Sequence, residues 1–153
     1  MVQKELNGTG GALHYAKDLV GEDFLVMMGD DLYHKDDIKR MMRHKVAVLT
    51  NEVEDPSQYG ILLTDEKGHL LDIKERPHQN ETNLVNTGMY KLTKEFFDFP
   101  LVPISDTEYG LPQTLVTMRE YYPIAIERAT CWKPLGKVDD IAEAEQALQL
   151  FAV

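Results

Sequence analysis

Two carboxylates in succession, Asp30 and Asp31, follow Gly29 at the end of an apolar run over residues 24–28. An apolar run that stops at acids has the pattern of a buried strand whose carboxyl end opens onto a ligand. Paired acids there can hold a divalent cation, and through it a phosphate. Neighbouring side chains on an extended chain point to opposite sides, so one of the two acids faces the ligand. Asp30 is expected to be that one, with Asp31 a helix cap or a solvated loop acid.

Three further constellations could carry chemistry. Gly8-Thr9-Gly10-Gly11 lets backbone N–H groups come close to a base or phosphate, although its spacing fits neither the dinucleotide fingerprint nor a P-loop, and plain turn chemistry explains it equally. Glu75-Arg76-Pro77 sets a carboxylate that can accept sugar hydroxyls beside a guanidinium that can fork onto phosphate oxygens; a strand end broken by proline is the plainer alternative. Asn86-Thr87-Gly88 interrupts an apolar strand with small polar groups, so Asn86 either caps neighbouring backbone or reads a ligand hydroxyl. Other chemistries lack their parts. The histidines, His14, His34, His44, His69 and His78, include no pair at metal-helix spacing, and no Gly-x-Ser-x-Gly elbow occurs. Cys131-Trp132 reads as packing rather than as a nucleophile.

These residues need a scaffold, and the patterning supplies one. A helix is expected over 12–19, a strand over 24–28, a helix from Asp36 and Asp37 to about Arg43, and a buried strand over 46–49. Residues 59–64 and 69–76 read as a hairpin joined by Asp65-Glu66-Lys67-Gly68, and 84–92 as a further strand. A short helix follows over 94–97. Pro112 marks a first helical turn with Leu111, Leu115 and Met118 inward; residues 122–126 form a strand; 138–150 close the chain as a helix with Ile141, Ala144, Leu148 and Phe151 on one face. Strands alternating with helices give an α/β class with a mixed, mostly parallel sheet flanked by helices.

The totals bound the function. The 153 residues suffice for one domain with a core of its own. A formal net charge of −10 speaks against a nucleic-acid backbone or an anionic membrane as partner, while leaving small phosphorylated ligands open through Mg²⁺. A single cysteine and no apolar leader or bilayer-length run point to a reducing compartment, the cytoplasm.

Taken in order, the segments resemble the sugar-phosphate nucleotidyltransferase family. The matches are Gln3 with Gly8-Thr9-Gly10, Gly29-Asp30, Tyr59-Gly60, Glu75-Arg76-Pro77, Asn86-Thr87-Gly88, Glu108-Tyr109, and Trp132 to Gly136 before a final helix. The resemblance implies a Rossmann-like nucleotide-diphospho-sugar transferase fold. It also implies a nucleotide site at Gln3, Gly8, Thr9 and Gly29, a sugar site at Gly60, Glu75 and Asn86, Mg²⁺ on Asp30, and catalytic roles for Asp30 and Arg76. The partners it implies are a nucleoside triphosphate and a sugar 1-phosphate. The sugar phosphate attacks the α-phosphate and pyrophosphate leaves, a reaction run by in-line positioning and charge neutralisation.

Three departures qualify the match. The family's glycine-rich triphosphate loop has no counterpart in the sequence, so residues 1–153 are expected to be the carboxyl-terminal portion of one nucleotidyltransferase domain. Little transfer activity is expected of the chain alone, and an exposed sheet edge should favour homo-oligomers. Arg76 stands where the family has lysine. Pro134 stands where a second metal-binding aspartate often sits, and proline cannot ligate a cation. Two alternatives stand beside the enzyme: a non-catalytic sugar-nucleotide-binding or regulatory relative, and a glycosyltransferase of related fold that uses a nucleotide sugar.

Overall fold

The computed structural model describes residues 2–75 and 81–151. Along the chain come α1 (Gly8–Tyr15), β1 (Asp23–Val26), β2 (Asp31–Tyr33), α2 (Lys35–Met41), β3 (Ala47–Glu52), β4 (Gly60–Thr64), β5 (Leu70–Glu75) and β6 (Leu84–Thr93). Then follow β7 (Val102–Pro103), β8 (Tyr109–Gly110), α3 (Leu111–Thr117), β9 (Ala125–Arg128), β10 (Trp132–Pro134) and α4 (Val138–Phe151).

Six strands make the main sheet, in the order β5-β4-β6-β3-β9, with β1 also on β6. The ten-residue β6 is its axis. On one side it carries β3; on the other, β1 pairs with residues 90–93 and β4 touches only Val85. Residues 86–89 of β6 therefore have no ladder on that side, and a cavity opens into this gap.

The sheet is mixed, as expected, but its ladders are mostly antiparallel. Strands β1, β3 and β9 share one direction, yet β6 returns from the β4–β5 hairpin between β1 and β3 and runs against both. Among the described strands, β3 with β9 is the one parallel ladder. Helix–strand alternation predicts shared direction, and a hairpin excursion then separates the strands that share it.

Alternation along β3 fills two cores. Val48 joins Leu62, Leu92, Phe96, Leu111 and Leu115 on one face, whereas Ala47 and Leu49 join Tyr33, Met41 and Met89 on the other. Both faces are covered, which is why the strand reads as an unbroken apolar run. Lys91 is almost wholly buried, and its ammonium donates to Asp23 at 2.5 Å and to the carbonyls of Lys45 and Leu92. A buried charge needs such partners, and these tie β1 to β6.

Two helices differ from expectation. Helix α1 begins at Gly8, four residues before the expected start, because its glycines let it lie against β8: a Cβ on Gly10 would come within 3.1 Å of the Tyr109 carbonyl oxygen. Tertiary packing here outweighs the poor helix propensity of glycine. Helix α4 has the expected span, but of its apolar stripe Ala144 is buried while Ile141 and Leu148 are half exposed. The period is right; the described residues supply no surface to cover the whole stripe. No helix among the described residues is long and apolar enough to cross a membrane.

Candidate functional site

A cavity of about 600 Å³ opens over the unladdered stretch of β6. Its floor is the face of β6 that carries Asn86, Gly88 and Tyr90, and Gly60 and Glu75 stand at one side. Thr9 and the start of α3 border it as well, and Asp31, the first residue of β2, closes it.

The floor is built by strand alternation and one backbone kink. Thr87 points away and donates its hydroxyl to the Leu49 carbonyl at 2.9 Å, so Asn86 and Gly88 face the cavity. Gly88 has φ +77°, and a Cβ there would lie 2.4 Å from Met28 Cγ. This backbone, which only glycine adopts at low cost, turns the Gly88 N–H onto Asn86 Oδ1 at 3.1 Å. Asn86 Nδ2 then donates to the Tyr90 hydroxyl at 2.6 Å. Gly60 and Glu75 are cross-strand partners, and a Cβ on Gly60 would sit 3.1 Å from both carboxylate oxygens. The absent side chain gives Glu75 its room.

A smaller cleft of about 390 Å³ adjoins, lined by Gln3, Gly8 and Thr9; Thr9 and Glu108 border both spaces. Gly8 has φ +81°, and any Cβ would fall 2.5 Å from the Tyr109 carbonyl oxygen. Thr9 Oγ1 accepts the Leu111 N–H at 3.1 Å, and the Tyr109 N–H donates to the Asn7 carbonyl at 2.9 Å. Gln3 donates to Asn7 Oδ1 at 3.0 Å. The first bond joins α1 to α3, and the second joins the residue before α1 to β8.

The two aspartates divide differently from expectation. Asp31 lines the cavity: its Oδ2 accepts the Trp132 indole N–H at 2.8 Å and lies 3.3 Å from the Tyr33 hydroxyl. It is neither a helix cap nor a solvated loop acid. Burial pushes its carboxyl up from the usual range and the Asp30 charge adds to that, while the Trp132 and Tyr33 hydrogen bonds pull the other way. Tyr33 donates to the Thr87 carbonyl at 2.6 Å, joining β2 to the cavity floor. Gly29 and Asp30 sit at the exposed turn just before β2. The Asp30 carbonyl accepts the Leu135 N–H at 2.9 Å, and its carboxylate makes no hydrogen bond among the described residues. Pro134 is the ladder partner of Asp31.

A profile of the Nucleotidyl transferase family matches residues 1–150. The chain belongs to that family. The bifunctional protein GlmU of Methanocaldococcus jannaschii is 32% identical over 149 residues, which are 95% of this chain and 36% of that protein. The UTP–glucose-1-phosphate uridylyltransferase AglF of Haloferax volcanii is 32% identical over 158 residues, covering 96% of this chain and 65% of AglF. A solved UDP-glucose pyrophosphorylase complexed with UDP-glucose superposes with a TM-score of 0.81 at 27% identity, over 96% of this chain and 64% of its own. The nucleotidyl transferase chain thus spans about a third of the first relative's length, and less than two thirds of the other two.

Most of the expected site residues of this nucleotidyl transferase chain come together: Thr9, Gly60, Glu75 and Asn86 in one cavity, with Gln3 and Gly8 in the cleft beside it. Gly29 and Asp30 stand outside the lining, and Arg76 lies outside the described residues. Tyr90 and Asp31 were not expected in it. Tyr90 was legible as the residue four beyond Asn86, on the same strand face. Asp31 gave no local signal, since its anchor Trp132 is 101 residues away. Burial pushes the Cys131 thiol up and the Asp37 charge adds to that, which disfavours the thiolate.

Proposed function

We propose that this chain carries the base- and sugar-binding part of a sugar-1-phosphate nucleotidyltransferase, which joins a nucleoside triphosphate to a sugar 1-phosphate and releases pyrophosphate. The observation that carries the reading is the single cavity shared by Thr9, Gly60, Glu75 and Asn86, four positions spread over 78 residues of sequence. Glu75 accepts sugar hydroxyls, Asn86 fixes their orientation, and Gly60 leaves space for the ring. The Gln3, Gly8 and Thr9 cleft takes the base, and Arg76 neutralises phosphate charge. The relatives named for uridylyl transfer make UTP and glucose 1-phosphate the first pair to assay.

Mg²⁺ fits the cation end. It binds through one or two carboxylates together with water and substrate phosphates, and needs no cage of protein ligands. Asp30 offers an exposed hard-oxygen donor without a competing hydrogen bond, beside the cavity end closed by Asp31. No cluster of three or more His, Cys, Asp or Glu that could hold a metal ion exists among the described residues. When bound, the ion would neutralise charge on the phosphates being exchanged. The acidic charge and lone cysteine fit work in the cytoplasm.

One observation favours a second reading. Pro134 faces Asp31 across the β2–β10 ladder, so that position supplies no second carboxylate, as in a sugar-nucleotide-binding relative without catalysis. Pyrophosphate release from UTP, glucose 1-phosphate and Mg²⁺ separates the two. Release that Asp30→Asn abolishes supports transfer. Little release is expected of residues 1–153 alone, so binding of UDP-glucose without release supports the relative only when a glycine-rich triphosphate loop of the family is fused ahead of them. Failure of every nucleotide sugar to bind contradicts both. Self-association belongs to the same proposal, since β1 pairs with β6 alone among the described strands. Sedimentation that stays monomeric across dilution would count against it.

A further inference from the structure

The hydrogen bonds of the cavity floor leave one buried proton over. The Gly88 N–H needs an acceptor and finds Asn86 Oδ1, which fixes the orientation of the Asn86 amide. Nδ2 must then face Tyr90, so the phenol oxygen is the acceptor in the 2.6 Å contact. A phenol both accepts and donates, and its own proton has no acceptor among the described residues. Tyr90 is 2% exposed yet lines the cavity, so the partner that takes that proton must come from the cavity itself. Glu75 borders the same space, close enough that its charge acts on the phenol.

We propose that Tyr90 is a specificity residue for the sugar, donating its leftover proton to a ring hydroxyl that in turn donates to Glu75. The chain of donors runs from the Gly88-oriented Asn86 amide to the Tyr90 phenol, then to the sugar hydroxyl and the Glu75 carboxylate. Every member gives one proton and takes one, apart from the two ends. Such a chain selects a hydroxyl that can accept and donate together. A fluorine or a hydrogen at that ring position breaks it, and a methyl ether cannot pass the proton on. This inference rests on the sugar-nucleotide reading of the cavity and adds which chemical group the site demands.

The test is calorimetric titration of UDP-glucose and of UDP into the unmodified chain and Tyr90→Phe. The substitution keeps the ring and removes one oxygen. UDP-glucose affinity is expected to fall about fivefold to twentyfold, the size of one buried hydrogen bond, while UDP affinity holds. Equal losses for both ligands would mark a merely structural role and overturn the proposal, as would undiminished UDP-glucose binding. UDP-glucose analogues lacking one ring hydroxyl at a time give a second measurement that needs no folded variant. One analogue must lose at least that factor on the unmodified chain, since it forfeits the bond to Glu75 as well, and its affinity must not fall further on Tyr90→Phe; a flat series overturns the inference. Absence of binding by UDP-glucose and UDP to the unmodified chain would instead contradict the reading of the cavity itself.

Discussion

The side of the cavity proposed for the sugar and the end proposed for a cation are built on opposite principles. Glu75, Asn86 and Tyr90 lie within β5 and β6, on cross-strand ladders, and a kink that glycine alone allows cheaply pins the Asn86 amide. Asp30 sits at an exposed turn next to the cavity-lining Asp31, its carboxylate bonded to nothing among the described residues. The first region is organised before a ligand arrives; the second, on the proposed reading, is completed by what binds. Preorganised groups lose little freedom on binding, whereas an exposed carboxylate is free to follow a hydrated cation and its phosphates.

Several variants would sharpen or break that contrast. Glu75→Ala removes a charged acceptor from the organised side, so UDP-glucose affinity should fall roughly tenfold to a hundredfold with the fold intact. Calorimetry measures it, and an unaltered affinity would place the sugar elsewhere. Gly88→Ala forces φ +77° on an L-residue and drives a methyl into Met28, at a cost of about 1–3 kcal/mol in thermal or urea unfolding. Gly29→Ala at the cation end meets no atom within 4 Å, so stability should change by no more than about 0.5 kcal/mol. Equal costs at the two glycines would erase the distinction.

The smallest effect concerns pH. Burial raises the Asp31 carboxyl, so the folded chain holds its proton more tightly than the unfolded one does. Stability contributed by that group is therefore lost as pH rises from the ordinary aspartate range through the raised value. Asp31→Asn keeps an oxygen for Trp132 and removes the ionisation, so its melting temperature should vary less over that window than the parent's. Parallel curves would show that Asp31 is not strained by its charge.

Much of this was legible in sequence because strands declare their faces by period. Asn86 and Gly88 on one face and Thr87 on the other follow from alternation alone, and Gly60 opposite Glu75 follows from the hairpin. Long-range pairings were not legible. Nothing near Asp31 announces Trp132, so the aspartate looked dispensable. Residues 8–11 read as a loop because glycine is a poor helix former, and only the backbone of Tyr109 explains why helix wins. The sheet's direction was misjudged for a related reason: local alternation cannot say that β6 returns between β1 and β3.

Titration of UDP-glucose with all divalent cation chelated tests the contrast most directly. A prebuilt sugar and base site predicts saturable one-to-one binding without metal, unchanged in Asp30→Asn and weakened in Glu75→Ala. Binding that appears only when Mg²⁺ is restored, or that Asp30→Asn abolishes, would contradict it.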